Sequence, residues 1–231
     1  MDFLEKILEY IFLPSCGICG KLGEGYLCKK CGKDLEKYSI NEFSFFYVKT
    51  KENVEENINN LKQNFYKIEK MHIFKYEDII RKLILQYKFN DKSFLYKTFG
   101  KIIVNNKKVF DFIKSYDIII PVPIHKKRMR ERGYNQSELI AKEISKRNSI
   151  KMYKDVLIKI TNNKAQSTLS GKERQQNTKN VYKLINSEKI NNKKILIFDD
   201  IYTTGATINS CVSELKKANP KKIGILTLAK D

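Results

Sequence analysis

Apolar positions along this chain keep two different periods, and the switches between them outline an α/β protein. His72-Ile-Phe-Lys-Tyr76 reads as a strand. Ile79, Ile80, Leu83, Ile84 and Tyr87 then recur at helical spacing, and Phe94, Leu95, Phe99, Ile102 and Ile103 predict a second helix. Tyr116-Asp-Ile-Ile-Ile120 predicts the next strand. Pro121-Val-Pro-Ile124 cannot continue a central strand, because Pro121 and Pro123 have no N–H to donate. Glu138, Leu139, Ile140 and Ile144 predict a helix beginning near Asn135. Ile195 to Phe198 is an unbroken β-prone run bracketed by Lys193-Lys194 and Asp199-Asp200, as expected of a parallel strand buried on both faces. Beyond it, Ile208, Cys211, Val212 and Leu215 fall at i, i+3, i+4 and i+7, the apolar stripe of a covering helix.

Upstream of residue 72 the pattern is weaker. Phe3, Leu4, Ile7, Leu8, Ile11 and Phe12 mark a short amphipathic helix ended by Pro14. Between Lys37 and Lys70 the chain turns polar, as in Lys51-Glu-Asn-Val-Glu-Glu-Asn-Ile-Asn-Asn60, and a charged surface helix or linker is expected there. The chain thus divides into an amino-terminal module over 1–38, a polar insert over 39–70 and a main α/β body over 71–231.

Cysteines give the module its chemistry. Cys16-Gly-Ile-Cys19 and Cys28-Lys-Lys-Cys31 are two C-x-x-C pairs separated by eight residues. Two such turns close a four-thiolate tetrahedron of the kind zinc prefers in structural sites, with iron as the competing metal. Disulfides are the alternative, but they need an oxidising compartment. Met1-Asp-Phe-Leu-Glu-Lys6 lacks the basic start of a secretory signal, so a cytoplasmic location is expected. No apolar run is long enough to span a bilayer, and no membrane insertion is expected.

In the body, the strongest chemical signal is the strand end at Asp199-Asp200 followed by Thr203-Thr204-Gly205-Ala206-Thr207. Ligands of open α/β sheets bind outside the carboxyl ends of the strands. A small, hydroxyl-rich turn opening a helix suits a phosphate monoester, and paired carboxylates suit sugar hydroxyls. The bland alternative is an acidic strand end followed by an N-capping Thr. The net charge of +19 is mostly Lys; of six Arg, five lie between 128 and 174, and Lys126, Lys127, Arg128, Arg130 and Arg132 crowd the stretch after the Pro-Val-Pro loop. Arg is suited to bidentate phosphate contacts, so this cluster reads as an anion site, with a solvated helix face or a nucleic-acid patch as the alternatives.

The segment Ile195–Thr207 resembles the 5-phosphoribosyl-1-pyrophosphate (PRPP) signature of type I phosphoribosyltransferases. That resemblance implies that Asp199 and Asp200 are catalytic residues holding the ribose hydroxyls, and that Thr203, Thr204, Gly205, Ala206 and Thr207 hold the 5-phosphate. Ile120-Pro-Val-Pro-Ile124 is similar to the pyrophosphate loop of glutamine-dependent amidophosphoribosyltransferases, which implies pyrophosphate binding by Val122, Pro123, Arg128 and Arg132 together with Mg²⁺. The cysteine pairs, Pro121-Val-Pro with Arg130-Glu-Arg-Gly-Tyr-Asn-Gln136, Gln166 to Asn177 and Asp199 to Thr207 occur in the order of the ComF family, which the chain resembles over roughly residues 10 to 231.

Proteins of that family are associated with DNA uptake in natural competence. The implied fold is α/β, a type I phosphoribosyltransferase with a Rossmann-like parallel sheet, preceded by a small four-cysteine zinc module. Gln166, Arg174 and Asn177 are implied members of a flexible loop that closes over the site, although Gly171 and Asn180 depart from the family pattern. Thr203 stands where hypoxanthine-type salvage enzymes carry an acid, which disfavours purine salvage. The implied function is a PRPP-Mg²⁺-binding phosphoribosyltransferase of open acceptor that serves DNA uptake, with other competence proteins as partners. The alternative is a single-stranded-DNA-binding competence factor with a vestigial or regulatory PRPP site, using the Lys excess and the 126–132 stretch near Tyr134.

Overall fold

The computed structural model describes residues 13–49, 65–89, 92–161 and 181–231. Its main sheet has six strands in the order β1-β2-β8-β7-β3-β4. These are β1 (Ser39–Lys49), β2 (Phe65–Lys75), β3 (Ile118–Pro121), β4 (Lys151–Met152), β7 (Lys194–Tyr202) and β8 (Lys222–Lys230). Neighbouring strands are parallel except at the β1 edge, where β1 and β2 are antiparallel. A separate antiparallel ribbon joins β5 (Leu157–Lys159) to β6 (Tyr182–Leu184). The helices are α1 (Lys29–Glu36), α2 (Asp78–Phe89), α3 (Leu95–Asn105), α4 (Lys107–Lys114), α5 (Lys126–Arg132), α6 (Gln136–Asn148) and α7 (Ala206–Leu215).

Burial on both faces explains why β7 is apolar without alternation. Leu196 and Phe198 enter the core shared with α2, α3, α4 and α6, whereas Ile195 and Ile197 enter the core shared with α7 and the β5–β6 ribbon. The two-residue period of a strand sends consecutive side chains to opposite faces, so it separates Asp199 from Asp200 as well. The expected helical stripes are the ones that bury: Ile80, Leu83, Ile84 and Tyr87 on α2, and Ile208, Cys211, Val212 and Leu215 on α7. Asn135 caps α6, its side chain accepting from the Ser137 N–H.

Several expectations need correction. Where described, the polar insert is two eleven-residue strands and not a surface helix or linker. Phe46 and Val48 pack inward from β1 while Phe43, Phe45 and Tyr47 stay exposed, so aromatic residues occupy both faces and hide the alternation. The strand read at 72–76 begins at Phe65, and the strand read at 116–120 runs from Ile118 to Pro121. Pro121 fits as the last residue of β3 because its missing N–H is not needed: it lies opposite Phe198, and the next N–H, of Val122, donates to the Phe198 carbonyl at 2.9 Å. Helix α4 was not anticipated. The amphipathic stretch from Phe3 to Phe12 and the loop residues Gln166, Arg174 and Asn177 lie outside the described residues. Among the described residues no helix is long and apolar enough to cross a membrane.

Candidate functional site

The carboxyl ends of β3 and β7 are adjacent, and three consecutive residues at the start of α6 tie them together. Asn135 Nδ2 donates to the Val122 carbonyl at 3.1 Å, which fixes the Pro-Val-Pro turn. Gln136 Nε2 donates to Asp200 Oδ2 at 3.3 Å, and Ser137 Oγ donates to Asp199 Oδ1 at 3.0 Å. Asn135 and Gln136 belong to the Arg130–Gln136 motif, yet in sequence neither they nor Ser137 carry a visible role. The capping signal at Asn135 was the available clue, since a capped helix start fixes its first-turn side chains.

The two acids are not equivalent. Asp200 is 5% exposed and pairs with Lys88 Nζ at 2.8 Å, from the last turn of α2. Both acids were expected to face the ligand; Asp200 is instead sealed by Lys88 and Gln136, because burying a carboxylate requires a charge partner and hydrogen-bond donors. Asp199 keeps partial exposure and accepts from Ser137 Oγ and from the Asp200 N–H. Burial of the carboxyl and the adjacent Asp200 charge raise its pKa to about 7, against the opposing pull of Lys88.

Beyond β7 the chain turns sharply into α7. Gly205 caps that helix with φ of 78°, the left-handed region that glycine enters without strain. Thr203, Thr204, Ala206 and Thr207 are exposed there, and only Gly205 is buried. Tyr202 closes the turn from behind: its ring packs at a tilt of 48° on His72, 4.8 Å between centroids, and His72 Nδ1 is 2.7 Å from Thr227 Oγ1.

The expected pyrophosphate residues fall into two groups. Val122 is buried, and Pro123 lines a cavity of about 390 Å³ together with Asn135, Glu138, Lys154 and Lys159. Arg128 and Arg132 line a second cavity of about 330 Å³, with Lys88, Phe89, Glu131 and Tyr134. The Arg132 guanidinium lies 5.3 Å from the Phe89 ring centroid, and its Nη1 is buried without an acceptor among the described residues. Lys159 was missed by the sequence reading. Burial and the Arg128 charge lower its pKa, while Asp199 raises it, so this ammonium sits within the field of Asp199.

Away from this edge, Cys16, Cys19, Cys28 and Cys31 bring their Sγ atoms within 4.8 Å of one another, positioned to bind a metal. Turns hold them there: Gly20 N–H donates to the Cys16 carbonyl at 2.8 Å, and Cys28 caps α1, its Sγ accepting from Cys31 N–H at 3.4 Å. The module packs on α3, where Thr98 Oγ1 donates to the Tyr26 carbonyl at 2.7 Å and Lys101 Nζ donates to the Leu27 carbonyl at 3.2 Å. Cys211 is buried on α7, and burial raises its thiol pKa well above the usual range, so it acts as a small hydrophobe.

A phosphoribosyl transferase domain model matches residues 136–231, from the first residue of α6 through β8. Competence protein F of Haemophilus influenzae is 29% identical over 152 residues, which cover 64% of this chain and 66% of that protein. Competence protein ComFC of Streptococcus pneumoniae is 30% identical over 158 residues, covering 68% of this chain and 66% of that one. Each match therefore spans just under two thirds of the relative. A purine phosphoribosyltransferase of Pyrococcus horikoshii superposes with a TM-score of 0.39 at 17% identity, over 61% of this chain and 85% of that one. Because the cysteine cluster, the phosphoribosyltransferase domain and the competence-protein relatives agree on one assignment, the chain belongs to the ComF family.

Proposed function

We propose that the protein binds PRPP with Mg²⁺ at the carboxyl edge of β3 and β7, transfers its phosphoribosyl group to an acceptor, and serves DNA uptake alongside other competence proteins. The observation that carries this reading is the succession, within nine residues, of Asp199, Asp200 and an exposed turn opening α7. In this reading the Thr203–Thr207 turn holds the 5-phosphate through backbone N–H groups and hydroxyls, and Asp199 accepts from a ribose hydroxyl. The C1–O bond to pyrophosphate breaks and its electron pair leaves with pyrophosphate. A lone pair of the acceptor forms the new bond at C1, and the acceptor loses a proton. Carboxylate charge beside the ribose stabilises the cationic character that develops at C1. Mg²⁺, when bound with the diphosphate, would neutralise the leaving group. The four-cysteine cluster is read as a structural zinc site, since four thiolates complete a tetrahedron and leave no position for a reacting water.

Incubation with PRPP, Mg²⁺ and a panel of bases, amines and oligonucleotides, followed by pyrophosphate release, tests transfer and identifies the acceptor. Release that depends on one acceptor supports the proposal. Absence of PRPP binding in a direct titration rejects it.

A second reading, binding of single-stranded DNA, is favoured by the β1 edge. Phe43, Phe45 and Tyr47 are exposed at alternate positions, and Lys67 Nζ lies 4.7 Å from the Phe45 ring centroid. Exposed rings interleaved with cations make a stacking platform for bases. Such binding weakens steeply with added salt and falls in a Phe45→Ala variant, whereas a flat salt response counts against it.

A further inference from the structure

Lys88 is placed to do more than neutralise Asp200. The two side chains are 17% and 7% exposed, and a pair so withdrawn from water gains little net stability because desolvation offsets the attraction. The same lysine lines the cavity that holds Arg128 and Arg132. Three cations, Lys88, Arg128 and Arg132, and one carboxylate, Glu131, line that cavity, with Asp200 paired to Lys88, and Arg132 Nη1 is buried with no acceptor among the described residues. Gln136 Oε1, beside Asp200, is likewise buried without a donor. Three cations and one unmet donor around a space of about 330 Å³ suit a compact oxyanion of multiple charge, and the unmet acceptor beside the acid suits a hydroxyl donor.

We propose that Lys88 is an exchangeable counter-ion: it covers Asp200 as the pair stands, and a diphosphate entering the Arg128–Arg132 cavity draws its ammonium away, freeing Asp200 and Gln136 to receive a ribose hydroxyl. This rests on the phosphoribosyl reading above and adds to it a residue and an order of events. The proton stays on Lys88 throughout; only its partner changes. Because each half of the ligand completes the site for the other, a molecule carrying both diphosphate and ribose binds more tightly than either fragment predicts.

The test is calorimetric titration of the full chain with inorganic pyrophosphate, with ribose 5-phosphate and with PRPP, each with Mg²⁺, for wild type, Lys88→Met, Asp200→Asn and the double variant. Lys88→Met is expected to weaken pyrophosphate at least about tenfold, the scale of one lost charge-assisted contact, while ribose 5-phosphate binds as well as or better than in wild type. The double variant removes the uncompensated buried charge, so its melting temperature recovers while its pyrophosphate affinity stays low. A double variant that regains the pyrophosphate affinity of Asp200→Asn alone, or a Lys88→Met protein that binds pyrophosphate like wild type, overturns the exchange and leaves PRPP binding standing. Wild type that binds neither PRPP nor pyrophosphate overturns the phosphoribosyl reading and the exchange with it.

Discussion

The ring of Tyr202 lies so close to Gly205 that a Cβ on the glycine would stand 2.4 Å from the Tyr202 hydroxyl oxygen. Position 205 therefore needs glycine twice, for its φ of 78° and for this approach. Gly205→Ala is expected to cost on the order of 1–2 kcal/mol in thermal or denaturant unfolding and to displace the turn that opens α7. PRPP affinity falls with it. A Gly205→Ala protein as stable as wild type, with unchanged affinity, would mean that the turn is not held as described.

Asp199 and His72 give the stability two opposing pH dependences. The Asp199 carboxyl is raised from 3.8 to about 7 in the folded state, so the fold binds this proton more tightly than the unfolded chain does. Its contribution is fully present below the unfolded pKa and is lost as pH rises through the folded one. For His72, burial lowers the pKa from 6.5 to about 4, so its contribution is present above 6.5 and is lost as pH falls toward 4. Urea unfolding of wild type and Asp199→Asn at pH 5 and pH 8 separates the two. The Asn variant gains on wild type as pH rises; a difference that stays constant across this range contradicts the placement of Asp199.

Metal and fold are expected to be coupled through α3. A Cβ on Gly17 would approach Leu95 Cδ2 and Thr98 Oγ1 to 2.5 Å, so Gly17→Ala separates the cysteine module from α3 without altering a ligand. That change is expected to lower stability by roughly 1–3 kcal/mol with the metal retained. Cys28→Ser removes a thiolate while leaving a hydroxyl able to cap α1, and is expected to lose the metal outright, read by elemental analysis. Equal metal content in Cys28→Ser and wild type contradicts the four-thiolate assignment.

The sequence carried the parts of this fold whose physics is local. Helix stripes on α2 and α7 and the apolar run of β7 follow from periodicity, and the cysteine cluster from its spacing. What escaped were relationships between distant elements. Lys88 is one Lys among many until α2 brings it beside Asp200, and Ser137 shows no chemistry until the Asn135 cap aims it at Asp199. The β1 strand was obscured for a different reason: its Phe and Tyr residues occupy both faces, so no polar alternation announces it. Nor does the sequence tell the two acids apart: period-two geometry turns them to opposite sides of β7, and only the fold brings Lys88 and Gln136 over Asp200.

The most direct test of the account is calorimetric titration of PRPP with Mg²⁺ into wild type and into the Asp199→Asn/Asp200→Asn variant, with circular dichroism and metal content confirming that both are folded. Saturable binding to wild type, abolished in the folded variant, is the expected result. Equal binding by the two proteins, or no binding by wild type, would contradict the assignment of the β7 strand end as a phosphoribosyl site.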